Sequence, residues 1–178
     1  MPGTVLEFMA DKLTVPPVFV MGNHSLGPVP DPDDRTGEKW KDPGGCLNAH
    51  RRSLRLAGLT IVGFEGSGRY RPGPYQYTEL QYWLMVFAMV PRLLLNRLRY
   101  GRALDILLTH APPTGPHAGH DWPHRGIPAF TWLNRVFRPR VHVHGHVHLL
   151  GANADREYVT DEGVRVINAF EFTLIDLQ

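Results

Sequence analysis

Four imidazoles fall within seven residues in the run Arg140-Val-His-Val-His-Gly-His-Val-His148. The Val/His alternation reads as a β-strand, and Gly145 frees the backbone for a sharp change of direction at its end. In locally extended chain, His146 and His148 point to the same side, close enough to serve one metal ion or two adjacent ones. A half-exposed strand that happens to be rich in histidine is the plain alternative. The distribution of the other histidines argues against it. Of the ten in the chain, nine fall at His24, within 110–124 or within 142–148. Two further blocks share the design of the first: Gly22-Asn23-His24 closes the apolar run Val15–Met21, and His110 follows Leu104–Thr109. Loops at the strand ends of an α/β sheet gather at one edge, so residues far apart in sequence can converge there. An Asn carbonyl and neutral imidazoles suit a borderline divalent ion (Mn, Fe, Zn, Co or Ni) rather than Ca.

The elements that must position these groups follow from apolar period. Val5 to Leu13 has helical spacing, and Val15–Met21 reads as a short buried strand. Residues 26–45 are rich in Pro, Gly and Asp and form a long surface loop. Arg52–Leu56 and Leu59–Phe64 are paired strands joined at Ala57-Gly58, and Glu65–Tyr75 is another Gly/Pro loop. Thr78 to Arg99 is a long helix with a kink expected at Pro91. Leu104–Thr109 is a buried strand, Phe130–Phe137 a short helix, and Val164–Asn168 and Phe172–Leu177 the last two strands, paired with each other. The chemistry-bearing residues thus sit where strands of a mixed α/β domain stop.

Length and composition narrow the class. A chain of 178 residues is one domain, large enough for a core. A net charge of +2, with arginines dispersed and no aromatic-basic motif, gives no specific signal for nucleic acid. The single cysteine, Cys46, excludes a disulfide framework and a Cys-rich zinc site, and fits a cytoplasmic protein. No secretory signal is visible, and the apolar stretch Tyr82–Leu95 is too short to span a bilayer. A helix packed against the domain is favoured there over one lying on a membrane.

Gly22-Asn-His-Ser25, Leu107-Leu-Thr-His110 and Gly145-His-Val-His148, in this order and each behind a strand, resemble the last three blocks of the calcineurin-like metallophosphoesterase family. The likeness covers nearly the whole chain. It implies an α/β fold, a two-sheet β-sandwich with flanking helices, and hydrolysis of a phosphomonoester or phosphodiester at a dinuclear centre of divalent ions. By the family's pattern, Asn23, His110 and His146 bind one metal and His148 the other, while His24 protonates the leaving oxygen. The fourth residue of the first block is Ser25 where the family usually has an acid. The family's first two blocks, Asp-x-His and Gly-Asp, are absent from the sequence. The single domain 1–178 is therefore expected to be incomplete at its N-terminus, to lack one or more N-terminal strands, and to be impaired in turnover. It would also expose a sheet edge through which copies could associate. A catalytically inactive member of the same fold, serving as a binding module, is the alternative.

Between the second and third blocks, 112–126 is the candidate substrate-facing loop. Arg125 could clamp a phosphate and His124 polarise a leaving group, with Asp121 beside them. The pattern Asp-x-x-His-x-Gly, followed by an aromatic helix and Arg-Pro, is similar to bacterial members of the family. His142 and His144 read as strand or supporting residues, not ligands.

Overall fold

A computed structural model of the chain describes residues 3–23, 29–30, 40–148 and 155–177, with the backbone alone at 29–30 and 40–41. Helix α1 (Gly3–Lys12) leads to β1 (Val18–Phe19), and β2 (Val29–Pro30) pairs antiparallel with β3 (Trp40–Lys41) inside the expected long loop. Strand β1 is shorter than its apolar run because Pro16 and Pro17 occupy its start and cannot donate to a ladder. It pairs parallel with β4 (Leu47–Asn48). Strands β5 (Ser53–Leu56) and β6 (Leu59–Phe64) form the expected hairpin, turning through left-handed Ala57 and Gly58 at φ 48° and 80°. The Gly/Pro loop that follows contains β7 (Ser67–Gly68), which pairs parallel with β8 (Gln76–Tyr77).

Helix α2 (Glu79–Tyr100) starts at a reciprocal cap. Thr78 Oγ1 accepts from the Gln81 N–H at 3.2 Å, and Gln81 Oε1 accepts from the Thr78 N–H at 2.8 Å. The helix runs through Pro91 without ending there. Pro91 lies on the exposed side, where the carbonyl that its missing N–H leaves over can turn to water. One face of α2 buries Tyr82, Met85, Val86, Met89 and Leu93 as expected. A second apolar stripe, Leu80, Leu84, Phe87 and Leu98, stays exposed. Among the described residues, no helix is long and apolar enough to cross a membrane.

Strand β9 (Ile106–Thr109), α3 (Pro128–Phe137, with proline at its first turn), β10 (Val141–His144), β11 (Glu157–Val159) and β12 (Arg165–Asn168) complete the chain. The main sheet has six strands in the order β11-β12-β10-β9-β6-β5. Its four inner strands, β12, β10, β9 and β6, are parallel, and both outer strands are antiparallel. The α/β class with flanking helices is what the chain adopts, the strands outside the main sheet being two-residue pairs. The expected strand at Phe172–Leu177 is irregular, with Phe172 and Leu174 left 78% and 92% exposed. The neighbour of β12 is β11 instead. The core lies where α2 and α3 cover β6 and β9, around Phe64, Tyr82 and Phe130. The Tyr82 and Phe130 rings meet edge to face at 5.1 Å.

Candidate metal centre

Parallel pairing puts the ends of β6, β9, β10 and β12 at one edge of the sheet. Phe64 lies opposite Thr109, and His144 opposite Asn168. The backbone continues the ladder beyond the strands: His110 N–H donates to Phe64 O (3.2 Å), Gly145 N–H to His110 O (3.1 Å), and Ala169 N–H to His144 O (2.7 Å). The first block reaches the same edge by another route. Beyond Val62 the β5 side of β6 is open, and the continuation of β4 takes it, with His50 bridging Gly63. Strand β1 rides on β4, and Gly66 N–H donates to Met21 O at 2.8 Å. Gly22 and Asn23 are thereby set beside His110.

His110 Nε2 lies 2.8 Å from Asn23 Oδ1 and 3.0 Å from His146 Nδ1. Ligands at right angles around an ion with bonds of about 2.1 Å stand about 3.0 Å apart, so His110 Nε2 is spaced from each of the other two atoms as from a neighbour in one coordination shell. Two of the three are also aimed by a further group. The Asn23 amide nitrogen faces the Tyr70 hydroxyl at 3.3 Å, turning Oδ1 toward His110. His146 Nε2 faces the Pro123 carbonyl at 2.8 Å; a carbonyl only accepts, so the proton is on Nε2 and the Nδ1 lone pair points at His110. His146 holds a left-handed backbone at φ 65°, a conformation that costs a β-carbon residue about 1 kcal/mol or more. Asn168 steadies the turn by donating from its amide to Val147 O at 2.8 Å.

Two histidines of β10 support this edge from within. His142 lies fully buried between Thr109 Oγ1 (2.8 Å) and the Asn134 amide (2.9 Å). Burial holds its pKa well below the ordinary histidine value, with the neighbouring imidazoles adding to the effect. His144 contacts His117 Nδ1 at 2.8 Å and Gly145 O at 3.0 Å, and burial brings its pKa down to about 4. His117 is buried against the Tyr158 ring, not a solvated loop residue. Beside Gly66, burial pulls His50 to about 4 and pushes Glu65 up. His50 Nδ1 accepts the Glu65 N–H (3.1 Å), leaving its other nitrogen 3.5 Å from the carboxyl oxygen that also accepts from the Tyr77 hydroxyl at 2.6 Å. That favours a neutral imidazole bonded to Glu65 over an ion pair.

The other expected site residues are placed unevenly. His148 is exposed, its ring 4.7 Å from that of Phe170. Among the described residues, no three His, Cys, Asp or Glu side chains form a group able to hold a metal, at His148 or elsewhere. At His110 the third candidate donor is an amide oxygen, that of Asn23. These residues therefore fit one ion, and the described surroundings of His148 do not fit a second. His24 lies outside the described residues. In the 112–126 loop, His124 Nδ1 meets Asp121 Oδ2 at 2.7 Å, and the hydrogen bond draws the Asp121 pKa down. The His124 ring centroid is 5.1 Å from that of His146. Arg125 stacks on Trp122 with its guanidinium 4.5 Å from the ring centroid. Sequence reasoning passed over Tyr70 and the Pro123 carbonyl. Asn168 could have been found, because it ends a strand as Asn23 does.

Among solved structures, one crystal structure superimposes with a TM-score of 0.55 at 15% identity, covering 95% of this chain and 64% of that one. At that identity the likeness is one of fold, and the chain spans less than two thirds of the matched structure. No curated protein matches the chain. The family model for calcineurin-like phosphoesterases, enzymes that typically bind divalent metals and act on phosphate esters, matches residues 2–150. That span is most of the 178 residues and contains the whole Asn23–His110–His146 cluster; the chain belongs to the calcineurin-like phosphoesterase family.

Proposed function

We propose that the chain binds one divalent cation through Asn23 Oδ1, His110 Nε2 and His146 Nδ1, and uses it to act on a phosphomonoester or phosphodiester. The supporting observation is the approach of Asn23 Oδ1 and His146 Nδ1 to His110 Nε2 at 2.8 and 3.0 Å, with Asn23 and His146 each aimed by a further hydrogen bond. An ion bound there would draw charge from a phosphate oxygen and acidify an attacking water. The three donors are neutral, so they leave the ion's positive charge available to the phosphate. His24, adjacent to Asn23, gives its proton to the leaving oxygen as the P–O bond breaks and the water oxygen bonds to phosphorus. Asp121 fixes the His124 ring near His146, and Arg125 adds a cation for the substrate phosphate.

His148 belongs with a second ion in the family's pattern. The sequence has neither Asp-x-His nor Gly-Asp, so it offers none of the recognised carboxylates that would hold and bridge that ion. Binding of one metal with little turnover is the expectation. The packing of His148 on Phe170 favours a second reading, a binding module of the same fold without turnover. Cytoplasmic residence and association through the outer strands β5 or β11 accompany the first reading.

Manganese titration of the full chain, run beside hydrolysis of bis(4-nitrophenyl) phosphate, decides between them. The proposal expects metal binding that His146→Ala abolishes, and slow hydrolysis that His24→Ala abolishes. Metal binding with no hydrolysis at any loading selects the binding module. Absence of metal binding removes the proposal.

A further inference from the structure

A cavity shares the Trp122–His124 turn with the candidate metal centre, and its walls suit a ring. It is a cleft of about 590 Å³ between the start of α2, the end of β8 and the 112–128 segment, with Tyr77, Trp122, Ile127 and Pro128 among its walls and Arg69 and Arg125 at its rim. That volume is ordinary for a small-molecule site. Trp122 is 60% exposed, an unusual outlay of apolar surface for a residue of this size. It is nonetheless fixed. Its indole N–H donates to Arg69 O at 3.0 Å, and the Arg125 guanidinium lies over the ring at 4.5 Å. An exposed indole held at its edge and backed by a cation on one face leaves the rest of its surface for another ring to stack on. The same short turn, Trp122–His124, carries the Pro123 carbonyl that aims His146 and the His124 ring that lies beside it. The stacking platform and the groups beside His146 are therefore carried by one short turn of chain.

We propose that this cleft holds a planar aromatic group of the substrate, so that the chain prefers aryl or nucleoside phosphate esters over aliphatic ones. The inference rests on the metal-centre reading for the position of the phosphate, but not for the binding of the ring. Glu79 in the cleft and the exposed Asp121 near it disfavour a second anionic group deep inside and favour an uncharged ring. Base–aromatic stacking sets the scale of the effect, about 10- to 100-fold in affinity.

Equilibrium dialysis on the full chain with manganese present tests this with 1-naphthyl phosphate, adenosine monophosphate, cyclohexyl phosphate and inorganic phosphate. The two aromatic esters should bind at least about 10-fold more tightly than cyclohexyl phosphate. Trp122→Ala should erase that margin, read as the ratio of aromatic-ester to cyclohexyl-ester affinity because Arg125 rests on the same indole, and Trp122→Phe should restore most of it. A preference for only one of the two aromatic esters would identify the group as aryl or nucleobase. The phosphate-free probe 1-naphthol, measured on metal-free protein, reads the cleft even if the metal proposal fails; its binding should also be lost in Trp122→Ala. Equal affinity for aromatic and cyclohexyl esters, or a preference that survives Trp122→Ala, overturns the proposal. Because Trp122 is mostly in water, its replacement should leave the circular dichroism spectrum unchanged.

Discussion

Gly22 carries no side chain where His110 occupies the space that one would need. A β-carbon built at Gly22 stands 2.6 Å from His110 Cε1, and that imidazole is held in place between Asn23 and His146. Gly22→Ala should push His110 out of the cluster and weaken divalent-metal affinity by about 10- to 100-fold, the range seen when groups behind metal ligands are disturbed. Calorimetric titration of the variant checks this, and unchanged affinity would mean that His110 is not a ligand. At this scale the sequence was readable where chemistry and backbone demand coincide. Glycine, asparagine and histidine at strand ends are rare enough together to mark the edge. Tyr70 and Pro123 were not readable: one sits in a loop without period, and the other acts through a carbonyl that every residue possesses. The burial of His117 was not readable either, because it depends on Tyr158 and His144 closing over it from distant parts of the chain.

The strands and the long helix were largely legible, and the exceptions have physical causes. The apolar period of α2 located it closely, while an exposed Pro91 did not break it. Phe172–Leu177 alternates like a strand, yet β12 already pairs with β11, a three-residue strand whose ends are exposed and whose pattern was too brief to detect. Strand β10 was read correctly, but the depth of its histidines has a consequence of its own. His142 and His144, together with His50 on the neighbouring segment, have folded-state pKa values below the ordinary 6.5, the last two at about 4, chiefly through burial. As pH falls through 6.5 the unfolded chain takes up protons that the folded chain refuses. Stability should therefore be intact above about pH 6.5 and fall continuously toward pH 4. Urea unfolding between pH 7.5 and 4 measures this directly. A midpoint that stays flat down to pH 5 would mean that these rings are not buried as neutral groups.

Taken whole, the molecule is built on a mixed sheet whose parallel inner strands end at one edge, where candidate donors from three distant parts of the chain meet. Residues 22–23, 110 and 146 meet there because β4 takes the free side of β6 and carries β1 with it, an arrangement no local pattern encodes. The order of the blocks indicated the family, and the convergence explains why that order works. His146 and His148, two residues apart, face different partners: one turns toward His110 at φ 65° and the other lies on Phe170. The claim that the chain carries one three-donor site is tested most directly by cobalt(II) titration, followed by visible absorption and calorimetry on the full chain and on three variants. One ion per chain should bind, His110→Ala and His146→Ala should each abolish binding, and His148→Ala should leave it unchanged. Cobalt binding that survives the loss of both His110 and His146 would contradict the assignment.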